Sequence, residues 1–320
     1  MTLGDFFLLD GTLRPVWRFF LSLVLVFLAY EAADFLAGEA RRLTPGPVAG
    51  YACFFLLELL GLLWAFKLMT LVFERKPLAV VGLAFYPSWA KELCVGLGIG
   101  ALMILSVGGA EALLAQVRFN PNPLPARAEV TYGSGLFLVL LLSASDEELV
   151  FRGYPFQKLV ESLGPPGAVA VSSACFGLAH LANSHHTWIS TLNTALVGIP
   201  LSIAYLRTRG LWMPVGIHFA WNYVQGCILG FPVSGIRLPS SLLIAQVHGS
   251  KWLTGSAYGP EGGLFCTLAV LGAALFLFIS SRIRISGRMK ELVYGPSPYG
   301  AAEGTAHILP RPDSGGEGPS

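Results

Sequence analysis

Of the 320 residues, 54% are hydrophobic and 12% charged, with a formal net charge of +2; that is about half the charge typical of soluble domains. This composition excludes an ordinary soluble enzyme, and the scattered basic residues, with no aromatic interleaving, exclude nucleic acid as a partner. A mean hydropathy of +0.62 and apolar runs able to cross a hydrocarbon layer of about 30 Å predict an all-α, polytopic transmembrane helix bundle of about eight spans, with the lipid bilayer as its main solvent.

In chain order the spans are predicted at residues 17–36, 48–72, 93–115, 135–158, 165–183, 188–206, 211–229 and 263–281. The first is read as a retained anchor, because Asp5 and Asp10 precede the first basic residue, Arg14, unlike a cleaved signal peptide. Connections are marked by Thr44-Pro45-Gly46-Pro47, by Pro121 to Pro125, and by Gly164-Pro165-Pro166-Gly167. Four regions follow: N-terminal helices over 1–134, a helical core over 135–230, an outer loop with the last span over 231–286, and a Gly-, Pro- and Ser-rich tail over 287–320 expected to be disordered. Cys53, Cys94, Cys175, Cys227 and Cys266 are odd in number, lie in apolar segments and show no C-x-x-C spacing, so neither disulfides nor a cysteine zinc site are expected.

Eight spans put both termini on one side. Arg14, Arg18, Lys67, Arg75, Lys76, Lys91, Lys158, Arg207, Arg209, Arg282, Arg284, Arg288, Lys290 and Arg311 fall on that side; Arg41, Arg42, Arg118, Arg127, Arg237 and Lys251 fall opposite, and Arg152 lies within a span. The positive-inside rule then places both termini in the cytoplasm, most simply at the cell membrane.

The fourth span carries Asp146, Glu147, Glu148 and Arg152 within one apolar stretch. A charge near the bilayer centre costs at least about 2.5–3.5 kcal/mol, so these are functional candidates. Glu148 and Arg152 are i and i+4, about 40° apart on a helix, and should pair; Glu147 faces elsewhere. The fifth span brings Phe176 and His180, and the seventh brings His218 and Asn222 on one helix face. Bundled, the three spans would join a carboxylate, two imidazoles and an amide, the equipment for activating water and binding an oxyanion during amide hydrolysis. Asp146 and the lone Glu58 are read as cavity or packing groups, and His185, His186 and His248 as solvated loop residues. One feature sits awkwardly with these boundaries. His180 would lie about 22 Å into the fifth helix but His218 only about 9 residues into the seventh, so the fifth helix starts late, is broken, or the site lies near the midplane.

At these residues the sequence resembles the CAAX prenyl protease 2 and bacteriocin-processing (CPBP, or Abi) family of intramembrane proteases. Its ordered patterns are supplied by Glu147-Glu148-x-x-x-Arg152, Phe176-x-x-x-His180 and His218-x-x-x-Asn222. The words EELVFRGYPFQ, LWMPVGIHFAWN and GPEGG (259–263) are also similar to the family's style. The resemblance covers about 135–230 and implies an intramembrane endopeptidase acting on a membrane-associated protein or peptide. It implies further that Glu147 and His180 activate water, that His218 and Asn222 form the oxyanion site, and that Glu148 and Arg152 support them. The family is labelled metalloprotease, and Glu147, His180 and His218 would suit zinc with an open fourth position; the same residues serve a metal-free glutamate mechanism. Two other readings stand beside the protease: a transporter or proton-pathway protein built on the same intramembrane charges, and a catalytically silent binding or immunity protein of the same fold.

Overall fold

The computed structural model describes residues 6–9, 11–40, 46–123 and 126–296, with backbone only at 126–130. Nine helices of eight residues or more, among the described residues, form the body: α1 (Pro15–Ala40), α2 (Pro47–Met69), α3 (Trp89–Leu113), α4 (Ala126–Arg152), α5 (Tyr154–Ala179), α6 (Trp188–Thr208), α7 (Trp212–Tyr223), α8 (Leu264–Ile279) and α9 (Gly287–Tyr294). Two small antiparallel sheets accompany them: β1 (Leu8–Leu9) with β2 (Thr12–Leu13), and β3 (Val117–Pro121) with β4 (Leu243–Val247). The second sheet ties the α3–α4 connection to the long segment between α7 and α8.

The protein is thus all-α in architecture. By length and composition four segments are apolar enough to cross a membrane: Pro15–Ala40, Pro47–Glu74, Trp89–Leu113 and Trp188–Thr208; Leu264–Ile279 is apolar but shorter. The remaining predicted spans correspond to α4, α5 and α7. Helix α4 carries Asp146, Glu147, Glu148 and Arg152, and α7 has only 12 residues before passing into a π turn, Val224–Ile228. Such single π turns inside helices occur often beside functional sites.

Two boundaries differ from the sequence expectation. The fourth span does not run to residue 158; it ends at Arg152, and the chain turns at Gly153, where an added Cβ would meet the Leu149 carbonyl at 2.1 Å. Helix α5 therefore begins at Tyr154 rather than 165, and it bends at Gly164, whose φ of 70° no β-carbon-bearing residue adopts easily. Pro165 and Pro166 follow that bend, at the start of a new helical run where missing N–H groups leave no bond unmade. Because the bend falls at Gly164, His180 still lies 15 residues beyond Pro165, at the C-terminal end of α5, so the break does not shorten its depth. The tail also begins later than expected, since 287–294 form α9, with Met289 and Val293 buried and Lys76 Nζ donating to the carbonyls of Leu292, Val293 and Gly295; residues 297–320 lie outside the described residues.

Close packing brings α7 onto α3. Cβ atoms at Gly96 and Gly100 would meet the carbonyls of Met213 and Ile217 at 2.3 and 2.1 Å, and one at Gly216 would meet that of Leu93 at 2.6 Å. Small residues of this kind let helix backbones touch where lipid supplies no hydrophobic drive. Because Ile217 precedes His218, this contact fixes the height of a candidate catalytic side chain.

At the other end of the bundle, Glu74 is a buried hub. It accepts from Arg18 (3.1 Å), Lys158 (2.7 Å) and the Tyr154 hydroxyl (2.9 Å), and Lys158 also pairs with Glu161 (2.6 Å). Arg18 and Lys158, expected as flanking charges, are thus buried and paired, and Lys76 is buried against backbone carbonyls of α9 and Gly295. Arg18 and Lys158 join α1 and α5 to Glu74, just beyond the end of α2, rather than facing solvent.

Candidate active site

Glu147 lies on α4 in the wall of a cavity of about 690 Å³, lined mostly by apolar side chains from α2, α4, α5, α6 and α7. Its carboxylate is 31% exposed, whereas its neighbour Glu148 is fully buried. Adjacent positions on one helix point in different directions, so two glutamates in sequence serve two environments. Glu148 meets Arg152 at 3.3 Å, the expected i,i+4 pair. Arg152, itself fully buried, donates also to the Gly198 carbonyl of α6 at 3.3 Å and lies 4.5 Å from the centre of the Phe176 ring. Phe176 is therefore more than filler, since a cation over an aromatic face is attracted by the ring quadrupole.

His180 caps α5 and opens a short 3-10 turn, His180–Ala182. Its Nδ1 lies 2.8 Å from the Phe176 carbonyl. A carbonyl only accepts, so this nitrogen carries the proton, and Nε2 turns to Glu147 Oε2 at 3.8 Å. His218 on α7 repeats the arrangement with a different anchor. Nδ1 donates to Glu148 Oε1 at 2.9 Å, and Nε2 stands 3.9 Å from the same Glu147 oxygen. Glu148 thus binds Arg152 and His218 at once and orients the imidazole, the task a second group performs for a catalytic histidine. Asn222, one turn further along α7, lines the cavity and makes no hydrogen bond among the described residues.

All six residues singled out from the sequence therefore meet around one cavity: Glu147, His180, His218 and Asn222 on its wall, Glu148 and Arg152 behind them. His185, His186 and His248 are exposed. Glu58 is not a lone acid, for it is buried within electrostatic reach of Asp146 and Glu147. Asp146 is buried behind the wall with no hydrogen-bond partner among the described residues. Glu261 was not assigned a role from the sequence, although its Gly259-to-Gly263 setting was noticeable. It lines the same cavity and accepts from the Ser234 backbone N–H (2.5 Å) and hydroxyl (3.2 Å).

A zinc ion needs its ligand atoms about 2.0–2.2 Å from the metal, hence about 3.3–3.6 Å from each other in a tetrahedron. The Glu147–His180 and Glu147–His218 separations of 3.8 and 3.9 Å are wider. Among the described residues no group of three or more His, Cys, Asp or Glu is arranged to hold a metal. The zinc set expected from the family label, Glu147, His180 and His218, does not fit this arrangement.

The long apolar helices define the class, a helical integral membrane protein, and its cavity joins a carboxylate to two imidazoles. Residues 131–224, the stretch holding all six residues, match the family model Rce1-like, described as type II CAAX prenyl endopeptidase Rce1-like. This stretch is therefore similar to Rce1-like prenyl endopeptidases, consistent with the CPBP resemblance. No curated protein matches the chain.

Proposed function

We propose that this protein is an intramembrane endopeptidase that hydrolyses a peptide bond of a membrane-associated protein or peptide with a Glu147-activated water. The observation that carries the reading is the convergence of two Nε2 atoms on one oxygen of Glu147, each imidazole anchored through Nδ1. Separations of 3.8–3.9 Å are too long for direct hydrogen bonds but suit one water about 2.8 Å from each atom. Glu147 takes a proton from that water while the His180 Nε2 lone pair holds its other hydrogen, aiming the oxygen at a carbonyl in the cavity. The resulting tetrahedral oxyanion accepts from the Asn222 amide and from His218, which stays an imidazolium throughout, its Nδ1–H on Glu148 and its Nε2–H facing the cavity. Glu147 then passes its proton to the leaving amine, so the carboxylate is restored and the peptide is cleaved.

Side of action follows from where the cavity lies. Its lining draws on Pro47 and Val48 at the start of α2 and on Val233 to Pro239 between α7 and α8, opposite the Arg18–Glu74–Lys158 cluster. With the basic residues read by the positive-inside rule, eight helices cross the cell membrane, the termini are cytoplasmic and the cavity opens toward the other face. Comparative proteomics of membranes from cells carrying the wild-type chain or Glu147→Gln tests the reading: one or more membrane proteins should persist at full length in the variant alone. Identical membrane proteomes would contradict it.

A further inference from the structure

The cavity has a wall segment that the hydrolytic step does not use. Val233 and Ile236 exchange two backbone hydrogen bonds of 2.8 Å each, closing a two-residue hairpin turn. Its central residues, Ser234 and Gly235, have φ of 46° and 85°, as a type I′ turn requires. Glycine is demanded twice at 235, because a Cβ there would also meet the Ser184 carbonyl at 2.0 Å. Ser184 lies four residues beyond His180, so the hairpin tip rests on the segment that follows a catalytic imidazole.

The turn is held from three directions. Glu261 binds the backbone and hydroxyl of Ser234, the Gly235 N–H donates to the Tyr258 carbonyl (2.8 Å), and Asn193 of α6 donates to the carbonyls of Glu261 (2.8 Å) and Gly263 (2.9 Å). A left-handed serine costs free energy, and the buried Glu261 carboxylate offsets it with a charge-assisted bond to the Ser234 N–H. The next residue after this pinned turn is Arg237. It lines the catalytic cavity, is exposed, and among the described lining residues is the single Lys or Arg. No protein acid pairs with it among the described residues, although the cavity also holds Glu147 and Glu261.

We infer that Arg237 is a specificity subsite that binds a carboxylate of the substrate peptide while Glu147 acts on the scissile bond. A planar guanidinium matches a carboxylate bidentately, and a braced hairpin holds it at a set distance from the reacting centre, so binding it also sets register. The inference rests on the protease reading and names what that site selects. The carboxylate has two sources, the peptide's C-terminus or an Asp or Glu side chain.

The test uses the full-length protein in detergent with a peptide spanning the cleavage site found in the cellular comparison. It is made in three forms: free C-terminus, C-terminal amide, and acidic side chains changed to their amides. For the wild type, one of the two neutralised peptides should show KM raised about tenfold, the effect of losing about 1.4 kcal/mol, with kcat far less affected. In Arg237→Ala that discrimination should collapse, and Arg237→Lys should recover part of it. The neutralisation that matters identifies the source. Undiminished discrimination in Arg237→Ala, or equal handling of all three peptides by the wild type, overturns the subsite while cleavage that is lost in Glu147→Gln upholds the protease. If Arg237→Ala weakens all three forms alike, in step with the anionic-lipid content of vesicles, the arginine meets lipid headgroups and the subsite is wrong. Absence of cleavage of every form by the wild type overturns both readings.

Discussion

Glu147 and Arg152 lie on the same helix five residues apart and should fail in opposite ways. One oxygen of Glu147 has no hydrogen-bond partner and its side chain reaches the cavity, so Glu147→Ala should remove proteolysis and leave the thermal midpoint nearly unchanged. Arg152→Ala strips a buried carboxylate of its partner, a change that typically costs about 3–5 kcal/mol. Its midpoint in detergent should fall well below that of Glu147→Ala, and equal midpoints would assign Arg152 to chemistry instead. Asn222→Ala should cut kcat by about 10²–10³ with KM nearly unchanged, because an oxyanion contact forms in the transition state; a raised KM with kcat intact would make Asn222 a substrate grip. The i,i+4 spacing made the Glu148–Arg152 and His218–Asn222 faces legible in the sequence. The anchors were not: the Phe176 carbonyl, the Gly198 carbonyl and the double use of Glu148 arise from tertiary packing, and backbone acceptors leave no signature in side-chain identity.

Among the elements, the contact between α3 and α7 carries the site, and its glycines differ sharply in what they permit. Gly100→Ala would drive a Cβ into the Ile217 carbonyl and part the helices, for which overpacking costs of about 1–3 kcal/mol are typical. Gly98 has nothing within 4 Å of its added Cβ, so Gly98→Ala should be neutral or stabilising through helix propensity. Thermal unfolding of the two variants checks this, and activity should fall with Gly100→Ala because Ile217 carries His218 with it. Similar midpoints would mean that the helices adjust freely. Apolar runs located most helices from the sequence, but the turn between α4 and α5 was misplaced. The Gly164-Pro165-Pro166-Gly167 run carries the stronger local signal and does separate two helical stretches, but α4 has already ended at Arg152. At Gly153 the break depends on close approach to Leu149, which a lone glycine does not announce.

For the whole molecule, sidedness links the fold to the substrate. The Arg18–Glu74–Lys158 cluster and the Lys76–α9 contact gather many basic residues at one end, and β3, β4 and the Arg237 hairpin gather at the other. A cytoplasm-active reporter fused after Lys290 and a periplasm-active reporter inserted near Gly249 should both be active; swapped activities would reverse the face to which the cavity opens. Counting charges yields an expected orientation for these reporters to test, whereas the burial of Arg18 and Lys158 on Glu74 and of Lys76 on backbone carbonyls leaves no signal in such a count.

The central claim is that Glu147 drives water into a peptide bond, and it is tested most directly by cleavage of the identified substrate by purified full-length protein in ¹⁸O-labelled water. Mass spectrometry of the wild-type reaction should show two fragments with ¹⁸O in the newly formed carboxyl group, and Glu147→Gln, folded to the same thermal midpoint, should yield neither. Labelled fragments from Glu147→Gln at a rate near that of the wild type would contradict the account.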